Sequence, residues 1–213
     1  MTEKELKKLE TKINWCVDYI EIEKLQSKYA HYLHMCMYDM IPSLFAEKTE
    51  GIAIEIDDRG VFEGPTAPRR VFFERMGRGN RGPSPIFPGF LVLHMAVNPV
   101  IEINKDGTRA KGLWHSPGCW VKMIEGEKVA AWIYGKYVME YVKEDEKWKI
   151  LKLNYRQTFD TPYDKGWVKV PSVPIVIPGL PTSTRPDKPT TYHRPYNPES
   201  LNIFEPPPPE PYE

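Results

Sequence analysis

Imidazoles are the side chains that exchange protons most readily near neutral pH, and this chain has five of them. His94 lies in the apolar run Phe90 to Val97, where a buried ring needs at least one hydrogen-bond partner. It reads either as a satisfied core histidine or as a general base that later returns its proton as an acid. His31 and His34 stand three apart in a helical stretch and share a face. With His94 and His115 they form the one plausible metal set, but no Asp or Glu completes a familiar ligand spacing, so no metal is expected. Tyr29 and His34 are about 140° apart on an ideal helix, so both line one pocket only if that helix crosses the pocket mouth.

Large aromatics recur at period two, with Tyr134, Tyr137, Tyr141 and Tyr155 set among Trp114, Trp120, Trp132 and Phe159. Most must be core, because a curved sheet buries such residues. Walls of that kind also suit a flat ring, with Trp114 against it and a Tyr134 or Tyr155 phenol polarising a substrate oxygen. Arg69, Arg70, Arg75, Arg78 and Arg81 surround a glycine-rich stretch with only Glu74 opposing them. A solvated helix face explains this, as does a lid whose Arg78 and Arg81 clamp a substrate carboxylate, phenolate or phosphate. Tyr155 and Arg156 are neighbours on a strand, so one points inward, and a buried Arg156 would need a carboxylate partner. Gly77 to Gly82 superficially resembles a phosphate cradle but follows a helix instead of a strand, and a dinucleotide reading fails on that context. Gly-x-Ser-x-Gly, P-loop and His-Glu-x-x-His motifs do not occur either, and no cofactor is expected.

The elements that position these residues follow from periodicity. Leu6, Leu9, Ile13, Cys16 or Val17, Ile20, Leu25, Tyr29 and Leu33 recur every three to five residues, which predicts one long helix. Asp39 is a candidate N-cap for a short helix holding Pro42, Leu44 and Phe45. Ile52, Ile54 and Ile56, the turn Asp57-Asp58-Arg59-Gly60 and Val61 to Glu63 predict a hairpin, followed by a short helix over Arg69 to Met76. Residues 77 to 89 hold four glycines and three prolines, so they form a long loop. Loops of that length serve as lids or are disordered. Four long strands follow, at about Phe90 to Ile103, Ala110 to Ile124, Val129 to Lys143 and Trp148 to Phe159, with polar turns between them. This order predicts an α+β domain over residues 1–161: a cone-shaped curved antiparallel sheet with the helices on its concave face. Residues 162–213 hold fourteen of the 22 prolines and read as an extended arm.

Lys+Arg and Asp+Glu both number 29, and the resulting net charge of +0 argues against a nucleic-acid partner. Three cysteines, Cys16, Cys36 and Cys119, suit neither a disulfide framework nor a zinc ribbon. With no apolar run long enough to span a bilayer, a cytoplasmic protein without a membrane partner is expected. An open curved meander with Trp120, Trp132 and several tyrosines cannot bury both faces under the few helices available, so the convex face should pack on another copy as a homodimer or larger homo-oligomer. The arm, interspersed with Val170, Val173, Ile175, Val176, Ile177, Leu180, Tyr192, Tyr196, Leu201, Ile203 and Phe204, should lie along its own domain or a neighbour's.

With Tyr29 and Leu44-Phe45 in the first third, Leu93-His94-Met95 on the first long strand and Trp148-Lys149-Ile150 on the last, the sequence resembles the SnoaL-like group. That group belongs to the nuclear-transport-factor-like superfamily of scytalone dehydratase, bile-acid dehydratase and ketosteroid isomerase. The resemblance covers about residues 10 to 160. It implies that Tyr29 and His94 are catalytic and that His115 supplies a second polar group on the following strand. His34 stands where the family usually has Asp, so an Asp–His dyad becomes a His–His arrangement. It further implies a cofactor-independent lyase on a small hydroxylated aromatic or polycyclic compound. The reaction would be a dehydratase-like elimination or a retro-aldol-type loss of a small aldehyde. A non-catalytic module holding a hydrophobic ligand is the alternative.

Overall fold

The computed structural model describes all residues except Ser84, 173–181, His193, Phe204 and Glu213. Helix α1 spans Glu3–His34 and opens on a capping box. Thr2 Oγ1 accepts from the Glu5 N–H at 3.3 Å, and the Glu5 carboxylate accepts from the Thr2 N–H at 2.7 Å. Only its C-terminal half has something to pack on. Ile22, Leu25, Tyr29 and Leu33 join the core, whereas Leu6, Leu9, Ile13, Val17 and Ile20 are each about half exposed. A 3₁₀ turn over Ile41–Leu44 replaces the expected short helix, and its cap, Met40, makes no side-chain hydrogen bond. Asp39 does not cap it; its Oδ2 accepts from the Gly82 N–H at 3.0 Å and so anchors the glycine-rich loop.

Among the described residues the sheet has seven strands: β1 Ala53–Ile56, β2 Val61–Glu63, β3 Val92–His94, β4 Val97–Ile103, β5 Arg109–Ile124, β6 Glu127–Glu144 and β7 Lys147–Pro162. Their order is β2-β1-β7-β6-β5-β3, with β4 also paired to β5, and the curved sheet does not close. The meander β4 to β7 is antiparallel, as expected, but β1 runs parallel to β7, with Ile56 opposite Tyr155. The sheet is therefore mixed at one edge. A strand separated from its partner by some ninety residues has no tight turn to dictate antiparallel pairing. The first predicted long strand divides into β3 and β4, both on β5. Gly118 makes room for β3, since a Cβ there would lie 1.9 Å from the Leu93 carbonyl oxygen. A π-helical turn, Arg69–Met76, packs Val71 and Phe72 into the core beside Phe45 and Tyr29.

Burial alternates along the strands. On β5 the even residues Ala110, Trp114 and Ser116 are buried, and on β6 the odd residues Ile133, Tyr137, Met139 and Tyr141. The opposite face carries His115, Tyr134 and Phe159, and residues of the C-terminal segment lie on it. Trp167 stacks on Phe159 at 4.8 Å, Tyr163 approaches Trp132 at 6.0 Å and the Arg156 guanidinium sits 4.0 Å from the Tyr192 ring. Part of the face expected to need another copy is thus covered by the chain itself, although Trp132 stays 44% exposed. Farther along, residues 183–191 clasp the β1–β2 hairpin and the π-helical turn beside it. Arg70 donates to both Asp187 oxygens and to the Ser183 and Arg185 carbonyls. Glu55 accepts from the Thr191 N–H and hydroxyl, both at 2.6 Å. Val173, Ile175, Val176, Ile177, Leu180 and Phe204, expected to anchor the arm, lie outside the described residues.

Candidate active site

The inner face of the sheet, the end of α1 and the glycine-rich loop enclose a cavity of about 290 Å³. Its apolar wall includes Leu33, Phe87, Phe90, Val92, Trp120 and Ile133; its polar groups are Tyr29, Tyr137, Tyr155, His94, Asp57, Arg59, Arg75, Arg78 and Lys122. Tyr29, Tyr137 and Tyr155 form a continuous aromatic floor, with ring centroids 5.6 and 4.9 Å apart. Burial pushes all three phenols above their usual range, so they are hydrogen-bond donors at neutral pH.

His94 enters from β3, its ring edge-on to Tyr155 at 5.4 Å. Its Nδ1 is buried and has no hydrogen-bond partner among the described residues. Burial first, then the Arg59 charge, lowers its pKa to about 3, so the ring is neutral. His34 does not line the cavity. Its Nε2 lies 2.9 Å from both the main-chain N and O of His94, accepting from the N–H or, in the other tautomer, donating to the carbonyl. The expected His–His arrangement is therefore imidazole against backbone, and it fixes where β3 sits. His31 and His34 have ring centroids 6.2 Å apart, and among the described residues no three His, Cys, Asp or Glu side chains gather as a metal site.

The other expected site residues separate. Tyr29, Tyr155 and Arg78 line the cavity. His115 lies behind the sheet, its Nδ1 2.5 Å from the Tyr134 hydroxyl and the two rings stacked, so neither faces the cavity. Arg156 shares that outer face under Tyr192, because Tyr155 is the neighbour that points inward. Trp114 is core: its Nε1 donates to Tyr141 Oη at 3.0 Å, and that hydroxyl donates to Gln26 Oε1 at 2.9 Å. Arg81 borders a separate surface cleft with Asp39, Pro42, Arg69 and Phe73.

Two groups of cavity residues escape sequence reasoning. The first is Asp57 and Arg59, in what looks like an ordinary solvated hairpin turn. Parallel pairing of β1 with β7 brings the turn inward, where the Asp57 N–H donates to the Tyr155 carbonyl at 3.0 Å. Asp57 has φ 53° and is 6% exposed; burial raises its carboxyl to about 7 against the opposing pull of Arg59. The second group is Lys122 with Trp120, a residue that the aromatic pattern names without placing it in the site; Trp120 donates to Asp160 Oδ1 at 3.1 Å and Lys122 to Oδ2 at 2.5 Å. Here a signal existed, since 120 and 122 share the parity of Trp114 on one strand. Burial lowers the Lys122 pKa and raises that of Asp160, each opposed by the other's charge.

Solved structures share this architecture. A protein from Novosphingobium aromaticivorans DSM 12444, described as a candidate scytalone dehydratase, is 22% identical, with a TM-score of 0.53 over 71% of this chain and 91% of its own. LinA is 16% identical, with a TM-score of 0.59 over 79% of this chain and 99% of its own. The hexachlorocyclohexane dehydrochlorinase LinA-type3 from Novosphingobium barchaimii LL02 gives 16% and 0.55, over 78% and 99%. At these identities the likeness is one of fold. No curated protein matches the sequence, and among the described residues no helix is long and apolar enough to cross a membrane. The SnoaL-like domain profile matches residues 17–154, the stretch that builds both the cone and its cavity, and the chain belongs to the SnoaL-like domain family.

Proposed function

We propose that this chain is a cofactor-independent lyase acting on a small hydroxylated aromatic compound. The observation that carries the reading is that His94, Asp57 and Tyr155 all line one aromatic cavity and each keeps a buried polar atom, Nδ1, Oδ1 and Oη, without a hydrogen-bond partner among the described residues. A pocket that only holds an apolar ligand needs no such atoms, and each costs about 1–3 kcal/mol when left unpaired. A volume near 290 Å³, at the low end for ligand sites, favours one or two rings over a polycyclic skeleton.

In an elimination, His94 takes the proton from the carbon beside the hydroxylated one, and that electron pair forms the double bond as the C–O bond breaks. Asp57, with a pKa of about 7, gives the departing hydroxyl its proton, and water leaves. In the retro-aldol variant the base takes the hydroxyl proton, a C–C bond breaks, a small aldehyde leaves and the proton returns to carbon. His34 acts through the β3 backbone as a positioning residue, and His115 has no part. The binding-module reading draws on one observation: an imidazole with pKa about 3 is a weak base until something raises it.

The test is a panel of hydroxylated aryl compounds analysed by mass for loss of water or formaldehyde. His94→Gln and Asp57→Asn should each lower turnover by about 10²–10⁴. Full turnover by His94→Gln would refute the base assignment. Tight binding across the panel without any product would favour the binding module.

A further inference from the structure

We infer that the cavity is built for a ligand bearing an anionic oxygen group, a carboxylate or phenolate, and that the Arg59 guanidinium receives it. The inference deepens the functional reading and takes from it only that the cavity holds the ligand.

Arg59 is held in the β1–β2 turn and lines the cavity, with its side chain 18% exposed. Among the described residues its guanidinium makes no hydrogen bond; the carboxylate oxygen within 4 Å is Asp57 Oδ2 at 3.7 Å, beyond hydrogen-bond length. A planar fork that matches a carboxylate is therefore unspent. By contrast, Arg70 holds Asp187 and Lys143 holds Asp18.

The surroundings add to the imbalance. Arg75 also lines the cavity, donates from Nη1 to the Thr184 carbonyl at 3.2 Å and keeps a buried Nε without a partner among the described residues. Arg78 and Lys122 line the same cavity. Facing these cations are Asp57, whose ionisation is suppressed, and Asp160 behind Lys122. Arg59 lowers the pKa of Arg75, His94 and Lys122 alike, so its charge is felt across the site. With a neutral ligand the Arg59 guanidinium faces only the partly ionised Asp57 carboxyl at 3.7 Å among the described residues, whereas an anionic oxygen supplies the hydrogen-bonded counter-charge that its fork lacks. It also removes one influence that keeps His94 a weak base. Trp120, Phe90 and Tyr155 supply the stacking surface for the attached ring.

Calorimetric titration with two charged and neutral pairs tests this: the isosteric cinnamate and cinnamamide, and 4-nitrophenolate against its methyl ether 4-nitroanisole. The wild-type protein should bind at least one anion about tenfold or more tighter than its neutral partner, as expected for charge-assisted bonds. The pair that shows the preference tells carboxylate from phenolate. Arg59→Met should reduce that ratio to about twofold without weakening the neutral probe, and Arg59→Lys should restore part of it. Equal wild-type affinities within both pairs, no binding of either anion, or a ratio unchanged in Arg59→Met would overturn the inference. Should Arg59→Met not fold, as judged by its melting curve, the wild-type ratios and Arg59→Lys decide alone. Turnover is not the readout, so anion selectivity without reaction would retain this subsite while refuting the lyase reading.

Discussion

Substituting Asp57→Asn isolates one buried charge. The carboxyl is raised from 3.8 to about 7, chiefly by burial, and at about 1.4 kcal/mol per unit the shift amounts to roughly 4 kcal/mol. The folded chain binds this proton more tightly than the unfolded chain. Stability from the group is therefore fully present below about pH 4, falls as pH rises, and is lost above about pH 7. Asn cannot ionise, tolerates the left-handed conformation at φ 53° and preserves the shape. It carries a buried amide costing about 1–3 kcal/mol, so the variant should be more stable than the wild type by about 1–3 kcal/mol at pH 8 and less stable by about 1–3 kcal/mol at pH 4. For a chain of this length the wild-type penalty corresponds to roughly 10 °C of melting temperature across that range. Thermal melts of both proteins at half-unit steps from pH 4 to 8 measure it. Parallel melting-temperature curves would mean that Asp57 is solvated and would remove the proton donor from the proposed mechanism.

Gly118→Ala should destabilise the fold by more than about 3 kcal/mol, because its Cβ would meet the Leu93 carbonyl at 1.9 Å and only main-chain movement relieves that; an unchanged melting temperature would contradict the close β3–β5 approach. Truncation after Trp167 removes the Arg70–Asp187 pair and the Thr191 bonds to Glu55, and should cost at least about 2 kcal/mol. Light scattering on the same protein tests whether the arm also supports a homo-oligomer, and equal stability with unchanged mass would make it a mere appendage.

How far the sequence discloses the molecule depends on the range of each signal. Period-two runs and Gly-containing turns are local, so β5, β6 and β7 are placed to within three residues at either end. The inward face of α1 is not legible in the same way. Leu6, Leu9 and Ile13 repeat as regularly as Leu25, Tyr29 and Leu33, and only the second set meets a sheet. The site divides along the same line. His94 is conspicuous as a lone polar group in an apolar strand, and Tyr29 follows from the helix pattern. Asp57 and Arg59 are hidden because a charged turn looks alike whether it faces water or a cavity, and the parallel β1–β7 contact that decides between them spans about a hundred residues.

The clasp of residues 183–191 on the β1–β2 hairpin also orders events in time. Asp187 meets Arg70, Thr191 meets Glu55, and Gly60 donates to Thr190 Oγ1 at 2.9 Å, each across more than a hundred positions. A nascent chain lengthens by roughly 5–20 residues per second, so every strand of the cone leaves the ribosome a second or more before the clasp. Non-local contacts of this kind must also wait for the loop-closure entropy to be met. The sheet can therefore assemble while the turn carrying Asp57 and Arg59 is still unbraced. The turn that lines the cavity is the last part to acquire its final shape, and a nascent or nicked chain can have its sheet folded before its cavity is complete.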